Sequence, residues 1–422
     1  MTKTCADTPV PIETGEPSGT VIDVPATVRG AAQRTVAIFA DPLLAPTLTF
    51  IPAQGKMMKR FNPCYVGPQL GAGEGLELPP DRTAVISSKR TSSSRFREFP
   101  FRFLGWSPGF FRRVKKFSPA LVHAHFGPAA LEALPLAQWL GVPLIANFHG
   151  GDATLDEKHF VQSEHYMHRR YWQRRKELMR DASLLLTCSN FIRSELIRKG
   201  FPESRIRVHY IGIDTDFFSP NVSVSREPIV LFVGSLVPSK GLLLLIQAMT
   251  EVQKRVPAVE LVVIGDGPAR EEAEKTASRV LRRCRFFGYE PASFVREWMN
   301  RAKVFCMPSH RAPDGSLEGF GRVFAEAQAM ELPVVSFATG GIPEAVKDGH
   351  TGMLCPEKDI AALARSIVTL LQNETIWTAM SRAARHHVRR EFDLKQCTRK
   401  LEDIYESVLA KSGNRGDAER GL

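Results

Sequence analysis

The sequence predicts an α/β protein built from two doubly wound, Rossmann-like domains. Short apolar segments typical of strands alternate with helical patterns over residues 35–212, and the alternation resumes at residue 229. Such alternation is typical of parallel sheets whose strands are joined by helices. A polar segment bounded by prolines, 219–228, separates the two runs. The length of 422 residues also fits two domains.

The first run predicts an N-terminal domain over residues 35–218. Residues 1–34 precede it and are rich in Thr, Pro, Gly and Asp, so we expect a flexible leader. The segment 41–119 has no clear periodicity, because Pro, Gly and Ser recur through much of it. The strands predicted in this domain are 35–40, 120–126, 143–149, 184–189 and 207–212.

The second run predicts a C-terminal domain over residues 229–385, after the linker 219–228. A long, charged helical pattern covers about 374–411. We assign 386–411 to a final helix and 412–422 to a flexible tail. The predicted strands are 229–234, 259–265, 284–288, 303–309 and 332–337, with helices that start near 241, 268, 292 and 321.

Composition excludes several classes of protein. The hydrophobic fraction of 43% is ordinary for a globular chain. The seven cysteines are odd in number and form no C-x-x-C pair, so we expect reduced thiols. The sequence has no apolar run of about 18 residues and no secretory signal pattern. We therefore predict a cytoplasmic protein without a transmembrane helix.

The most informative segment is EGFGRVFAE, which runs from Glu318 to Glu326. Gly319 and Gly321 lie between the two carboxylates, and a helical pattern begins near Val323. A glycine turn that leads into a helix presents unpaired N–H groups and a partial positive charge, which suits a diphosphate. A carboxylate on either side can accept hydrogen bonds from sugar hydroxyls. The segment therefore predicts a site for a nucleotide sugar.

This segment resembles the Glu-x7-Glu signature of the retaining family 4 glycosyltransferases, which have the GT-B fold. Other segments are similar to the same family, and the resemblance covers roughly residues 120–395. These segments are HAHFG (123–127), ANFHGGD (146–152), VLFVGSLVPSKG (230–241), VVIGDGP (262–268) and GGIPE (340–344). HAHFG and ANFHGGD resemble in particular the subgroup that acts in exopolysaccharide assembly.

The resemblance implies a GT-B protein whose domains face a cleft and whose last helix crosses back to the first domain. It implies transfer of a hexose from a nucleoside diphosphate sugar, with retention of configuration and with neither a metal nor another cofactor. The implied acceptor is a lipid-linked saccharide at the inner face of the cytoplasmic membrane. A catalytically weak scaffold that binds nucleotide sugars is the alternative.

Lys240 is expected to pair with the diphosphate of the donor, because charge-assisted hydrogen bonds to phosphate are strong. A solvated lysine in a surface turn is the alternative. The family usually carries an arginine near this lysine, at positions that Ser235 and Ser239 occupy here. Arg322 is a possible substitute. The absent arginine, together with a first loop (41–47) poor in glycine, keeps the scaffold alternative open.

The two glutamates are expected to contact the sugars of the donor. Small and apolar neighbours imply that Glu326 is buried, and a buried glutamate needs partners, so we predict that it accepts the ribose hydroxyls. Glu318 precedes the helix, nearer the diphosphate and the transferred sugar, and is a catalytic candidate. Backbone groups expected to border the donor are those of Phe320, Gly321, Gly340 and Gly341.

His149 closes a predicted strand of the N-terminal domain, and the resemblance makes it a catalytic candidate. Asp152 could equally contact the donor or acceptor or be structural. His123 and His125 lie on one face of a strand. Structural or acceptor-facing roles are favoured for these two, because no third ligand with suitable spacing supports a metal site.

The net charge of +11 is concentrated in two segments. Residues 95–117 contain seven Lys and Arg, one Glu and eight aromatic residues, and residues 169–180 contain six basic residues and one Glu. Aromatic and basic residues together suit an anionic membrane surface, so we predict a peripheral protein at the inner face of the membrane. Core aromatics with solvated charges are the alternative. A nucleic-acid surface is disfavoured, since no nucleic-acid motif accompanies the charge.

Overall fold

The computed structural model describes residues 33–45, 48–71, 77–88 and 91–420. The strands of its first half are β1 (Arg34–Phe39), β2 (Phe61–Gln69), β3 (Thr83–Ser87), β4 (Pro119–His125), β5 (Leu144–Phe148), β6 (Leu184–Thr187) and β7 (Ile206–Val208). They form a parallel sheet in the order β3-β2-β1-β4-β5-β6-β7. The helices of this half are α1 (Phe50–Met57), α2 (Ser92–Leu104), α3 (Pro108–Lys115), α4 (Gly127–Leu140), α5 (Gly151–Thr154), α6 (Glu157–Gln162), α7 (Tyr166–Asp181) and α8 (Asn190–Arg198).

The second half repeats this arrangement. Its strands are β8 (Glu227–Val233), β9 (Glu260–Ile264), β10 (Cys284–Phe287), β11 (Ala302–Cys306), β12 (Val334–Phe337) and β13 (Gly352–Cys355). They form a second parallel sheet in the order β10-β9-β8-β11-β12-β13. Its helices are α9 (Leu242–Arg255), α10 (Arg270–Val280), α11 (Ala292–Arg301), α12 (Arg322–Ala329), α13 (Ile342–Ala345), α14 (Ile360–Gln372), α15 (Glu374–Glu391) and α16 (Leu394–Arg420). The predicted α/β class with two doubly wound sheets is confirmed.

The segment 41–119, which has no clear periodicity, contains α1, β2, β3, α2 and α3. Local propensity argues against two of these elements, because β2 contains Pro63 and Pro68 and α2 contains Pro100. However, β2 lies between β1 and β3 and pairs with β1 along the whole of that strand. Pairing on both sides therefore outweighs the cost of the prolines, and only the assembled sheet reveals it.

The helical pattern predicted over about 374–411 is interrupted at Phe392, between α15 and α16. The N–H group of Ile213, which lies between the two sheets in the chain, donates to the Phe392 carbonyl at 2.7 Å. The N–H group of Leu394 in turn donates to the Ile213 carbonyl at 2.9 Å. This bridge occupies backbone groups that a continuous helix would use, which accounts for the break. α16 then continues to Arg420, past the boundary predicted at residue 411.

α16 packs against the first sheet, as the resemblance implies for the last helix. The Glu402 carboxylate accepts hydrogen bonds from the backbone N–H groups of Lys59 and Arg60 at 2.8 and 2.6 Å, just before β2. Farther along the helix, the Tyr405 hydroxyl lies 2.6 Å from Nδ1 of His123 on β4. The final helix therefore ties the end of the chain to the N-terminal domain.

Some predictions concern parts of the chain that are only partly described. Of the predicted leader, residues 1–32 lie outside the described residues, and β1 begins at Arg34. Residues 421–422 of the predicted tail also lie outside them. Within the described ranges, no helix combines the length and apolar character needed to cross a bilayer. The six cysteines in these ranges have free thiols.

Candidate active site

A cleft of about 640 Å³ lies between the two sheets. Its walls include the loops that follow β4, β5, β8 and β9, at the carboxyl ends of the strands, where doubly wound sheets bind ligands. The structure brings seven of the ten predicted site residues together on these walls. They are His149, Lys240, Glu318, Phe320, Gly321, Arg322 and Glu326.

The Lys240 ammonium forms an ion pair with the Glu318 carboxylate. Lys240 ends a short 3₁₀ turn that precedes α9, and its side chain is 24% exposed, against 13% for Glu318. Of the two serines that stand where an arginine is usual, Ser235 lines the cleft, and Ser239 accepts a backbone hydrogen bond from His310 at 2.9 Å. The Glu318 carboxylate therefore holds Lys240 at the cleft, and neither position 235 nor position 239 supplies an arginine beside it.

The loop after Glu318 brings the two domains into contact. A Cβ atom at Gly319 would lie 2.1 Å from the carbonyl oxygen of His149, so the loops approach this closely only because Gly319 has no side chain. Gly321 adopts a φ of 76° and precedes α12, whose first residues line the cleft. The start of α12 therefore offers backbone N–H groups and the positive end of a helix dipole to an anion.

Arg322 and Glu326 form an ion pair one turn apart on α12, with 3.1 Å between Nη2 and Oε1. The Arg322 guanidinium also lies 5.4 Å from the centre of the Phe50 ring, and Nη1 lies 3.4 Å from the Thr49 hydroxyl. Burial raises the pKa of the Glu326 carboxyl, and the charge of Arg322 opposes this effect. Arg322 therefore faces the cleft, and it adds a second cation to the wall that carries Lys240.

His149 is the end of a column of imidazoles that leads into the first domain. Its Nε2 atom lies 3.1 Å from Nδ1 of His125, and the rings of His125 and His123 lie 4.4 Å apart between centres. Tyr405 on α16 closes the column by its contact with His123. Burial lowers the pKa of His149 to about 3, and it also lowers the pKa values of His123 and His125. These rings are therefore neutral at neutral pH, and they interact through hydrogen bonds rather than as cations.

Comparisons with known proteins identify the family of the chain. Residues 71–217 match the family described as Glycosyltransferase Family 4, and residues 214–387 match the family Glycosyl transferases group 1. The amylovoran biosynthesis glycosyltransferase AmsK of Erwinia amylovora is 30% identical over 300 residues, which are 70% of this chain and 72% of AmsK. The chain belongs to the family 4 glycosyltransferases.

Two further comparisons extend this assignment. The GDP-mannose-dependent alpha-(1-6)-phosphatidylinositol monomannoside mannosyltransferase of Mycolicibacterium smegmatis is 32% identical to this glycosyltransferase, over 62% of the chain and 70% of that enzyme. The crystal structure of Anabaena HepE in complex with UDP and glucose superposes with a TM-score of 0.70, covering 89% of this chain and 100% of HepE at 20% identity. The likeness to HepE concerns the fold, and it confirms the GT-B arrangement.

The remaining predicted residues of the glycosyltransferase, Asp152, Gly340 and Gly341, are not among those that line this cleft, and Asp152 lines a neighbouring cavity. The Asp152 carboxylate accepts hydrogen bonds from the backbone N–H groups of His149, Gly150 and Gly127, at 3.1, 2.9 and 3.0 Å. Asp152 therefore holds the turn after β5 and the start of α4, which corresponds to its structural interpretation. The N–H group of Gly341 donates to the Glu318 carbonyl at 2.9 Å, and a Cβ at Gly340 would lie 2.4 Å from the same oxygen. These two glycines support the loop of Glu318, and their direct contact with a donor stays a prediction.

Sequence reasoning missed two features of the site. Thr49 and Phe50 line the cleft from α1 and its N-terminal side, in the segment without periodicity. Glu344 of the GGIPE turn reaches across to the first domain, where its carboxylate accepts from the N–H groups of Asn190 and Phe191 at 2.8 Å. It also accepts from the Tyr210 hydroxyl at 2.7 Å. The two glycines before Glu344 indicate a turn at this position, but its partner Phe191 is 153 residues away in the chain, so the contact could not be predicted from local sequence.

Proposed function

We propose that the chain is a retaining hexosyltransferase that moves a sugar from a nucleoside diphosphate sugar to a saccharide acceptor. The observation that carries the proposal is the pairing of two cations with two carboxylates in one cleft, Lys240 with Glu318 and Arg322 with Glu326. The cations suit a diphosphate, and the carboxylates suit the hydroxyls of the sugars on either side of it. Retention of configuration is supported by the resemblance of the segment 318–326.

The positive groups of the cleft stabilise the departing nucleoside diphosphate. Lys240, Arg322 and the start of α12 lie on the same wall, where negative charge develops as the bond between the sugar and the diphosphate breaks. With retention, the acceptor oxygen bonds to the sugar on the face that the diphosphate leaves. The acceptor proton then passes to the departing phosphate oxygen. This scheme requires no metal ion.

In this proposal the two glutamates contact different parts of the donor, Glu326 the ribose and Glu318 the transferred sugar. Glu326 lies inside α12 with its side chain 15% exposed, so a ribose whose hydroxyls donate to it satisfies a carboxylate that, within the described residues, pairs with Arg322. Glu318 lies before the helix and next to Lys240, so it faces the transferred sugar.

His149 acts as a neutral hydrogen-bonding group. Its ring lines the cleft, and its Nδ1 atom has no hydrogen-bond partner within the described residues. A sugar hydroxyl or a phosphate oxygen of the donor would supply the missing partner of this atom. Because burial lowers its pKa to about 3, His149 is neutral at neutral pH, and it orients the donor by a hydrogen bond rather than acting as an acid.

The relatives point to the class of acceptor. AmsK is named for amylovoran biosynthesis, and the Mycolicibacterium smegmatis enzyme is named for a phosphatidylinositol monomannoside. We therefore propose a role in the synthesis of an exopolysaccharide or another cell-surface polysaccharide, with a lipid-linked saccharide as acceptor.

The test is a screen of UDP- and GDP-sugars by thermal shift, followed by measurement of nucleoside diphosphate release with and without lipid-linked saccharides from bacterial membranes. We expect one donor to stabilise the protein and to be consumed, both with and without EDTA. NMR of the product is expected to show the anomeric configuration of the donor. Stabilisation without any consumption would support the scaffold alternative, for which the serines at positions 235 and 239 argue. No binding of any donor would refute both.

We also propose that the enzyme docks on anionic membranes through one face of its first domain. Within residues 95–117, Phe101, Phe110 and Phe111 are buried in the core. The exposed remainder, which we name the α2 surface, consists of Phe96, Phe99, Phe103, Leu104 and Trp106, and Phe96 is 82% exposed. Exposed basic residues on and near α3 accompany it, namely Arg112, Arg113, Lys115 and Lys116. Exposed aromatics next to basic residues suit a bilayer that contains acidic lipids.

Sedimentation with vesicles of phosphatidylcholine and phosphatidylserine tests this docking. The double variant Phe96→Ser/Phe99→Ser is expected to bind at least fivefold less than the wild type, with unchanged nucleotide affinity. Val222→Ser is the matched control, because Val222 is 92% exposed but lies between the domains. Salt should weaken binding, since charges are screened over about 8 Å at physiological ionic strength. Equal sedimentation of wild type and double variant would contradict the proposal.

A further inference from the structure

A second cavity, of about 350 Å³, opens beside the cleft in the first domain. Phe126 and Gly151 line both spaces, so the cavity and the cleft meet at these two residues. Other walls come from Asp41, which follows β1, and from the first turns of α4, which follows β4. The sheet order runs outward in opposite directions from β1 and β4. Ligands of doubly wound sheets bind at such a switch point.

Buried charges form the polar wall of this cavity. Arg102, from α2, donates to Asp41 at 2.6 Å, to Glu98 at 2.9 Å and to Glu132 at 3.2 Å. Asp41 and Glu132 line the cavity, whereas Glu98 lies behind them and also accepts from Gln69. Three carboxylates thus share one guanidinium, and both oxygens of Asp41 are already taken by Arg102.

Glu132 has one carboxyl oxygen that Arg102 does not reach. Its side chain lies on α4 and the residue is 3% exposed, and one carboxyl oxygen, Oε2, has no hydrogen-bond partner within the described residues. Burial, and then the charge of Asp41, raise the pKa of Glu132 to about 8. A hydroxyl group can both donate and accept, so it would satisfy this oxygen in either protonation state of the carboxyl group.

Phe126, Leu155, Phe160 and Met167 form the apolar walls, and the polar residues Asp152 and His168 also line the cavity. A sugar ring presents C–H groups on its faces and hydroxyls on its edge, so this combination of walls suits a sugar better than a fully polar or apolar ligand. The carboxylates beside Glu132 disfavour a phosphate. The volume of about 350 Å³ lies in the range of small-molecule sites, roughly 300–1,000 Å³.

We propose that this cavity binds a neutral sugar unit of the acceptor, with Glu132 as the hydrogen-bond partner of one hydroxyl. The inference rests on the proposed function, because it makes the cavity the acceptor side of the same reaction. Its position fits a lipid-linked acceptor. α2 supplies Arg102 to the carboxylates of the cavity and carries Phe103 on its exposed side. The Phe103 ring stacks 4.6 Å from Tyr166, next to Met167 in α7.

Saturation-transfer NMR tests the cavity without relying on activity. The probes are methyl α-glucoside, methyl α-mannoside and methyl β-galactoside at millimolar concentration, in the presence of UDP. We expect at least one glycoside to bind the wild type, and Glu132→Ala to reduce its signal at least tenfold. Glu132→Gln should keep most of the signal, because an amide also donates and accepts. Absence of any glycoside signal, or an equal signal from Glu132→Ala, would overturn the inference, as would displacement of the glycoside by inorganic phosphate.

Two further variants guard against a folding defect in Glu132→Ala. Met167→Trp fills the cavity from α7 and leaves the ion pairs intact, so it should also abolish the glycoside signal. Glu195→Ala is the matched control, because Glu195 is another buried, ion-paired glutamate of the first domain, on α8 with Arg198. It should bind glycosides like the wild type. Transfer activity with an acceptor KM unchanged by Glu132→Ala would refute the cavity but not the function, whereas glycoside binding without any transfer would refute the function alone.

Discussion

Lys240→Ala is expected to weaken binding of a nucleoside diphosphate by about 10- to 150-fold. Hydrogen bonds to charged groups contribute about 1.5–3 kcal/mol, and about 1.4 kcal/mol corresponds to a tenfold change in affinity. The substitution removes the ammonium that pairs with Glu318, so this carboxylate and the diphosphate lose their shared counter-ion. Arg322 remains on the same wall and limits the loss.

Isothermal titration with UDP and GDP at low ionic strength measures this loss. Lys254→Ala is the matched control, because Lys254 also forms an ion pair, with Glu251, but lies on the exposed side of α9 with its side chain 68% exposed. Its affinity should stay within twofold of the wild type. In the wild-type background, Ser235→Arg should tighten binding, since Ser235 lines the cleft at a position where the family usually carries an arginine. If Lys240→Ala also stays within twofold, another residue carries the charge and the assignment of Lys240 is wrong.

Two further predictions follow from the site. Glu326→Ala should abolish the thermal stabilisation produced by the nucleotide, whereas Glu318→Ala should keep most of it and lose sugar transfer; equal stabilisation of Glu326→Ala and wild type would disprove the ribose contact. The free energy of unfolding should fall as the pH decreases from about 6.5. Burial lowers the pKa of His149 to about 3 and that of His209 to about 4, whereas histidines of the unfolded chain titrate at about 6.5. The unfolded state therefore binds protons first, and acid favours it. Urea midpoints at pH 7.5 and 5.5 measure this change, and a smaller difference is expected for His209→Asn; a midpoint independent of pH would contradict the reasoning.

The α/β class, the two doubly wound sheets and the residues of the proposed donor site could be predicted from the sequence. These features depend on contacts that are local in the chain, such as the turn from Glu318 through Gly321 into α12 and the turn that ends at Lys240. Apolar strands with helices between them also predict a parallel sheet where both faces of the strand are buried, as in β8 and β9.

Other features depend on residues that are far apart in the chain. Neither the strand character of β2 nor the break between α15 and α16 follows from local propensity, because partner strands and the backbone of Ile213 decide them. The direction of Arg322 toward Glu326 and Phe50, and the meeting of Arg102 with Asp41 and Glu132, likewise appear only when separate loops converge. The sequence by itself determined which chemical groups the proposed donor site contains, since these lie within short motifs. The tertiary structure alone decided which of them face the cleft and which carboxyl group beside it keeps one oxygen without a hydrogen-bond partner, because burial and long-range pairing set both.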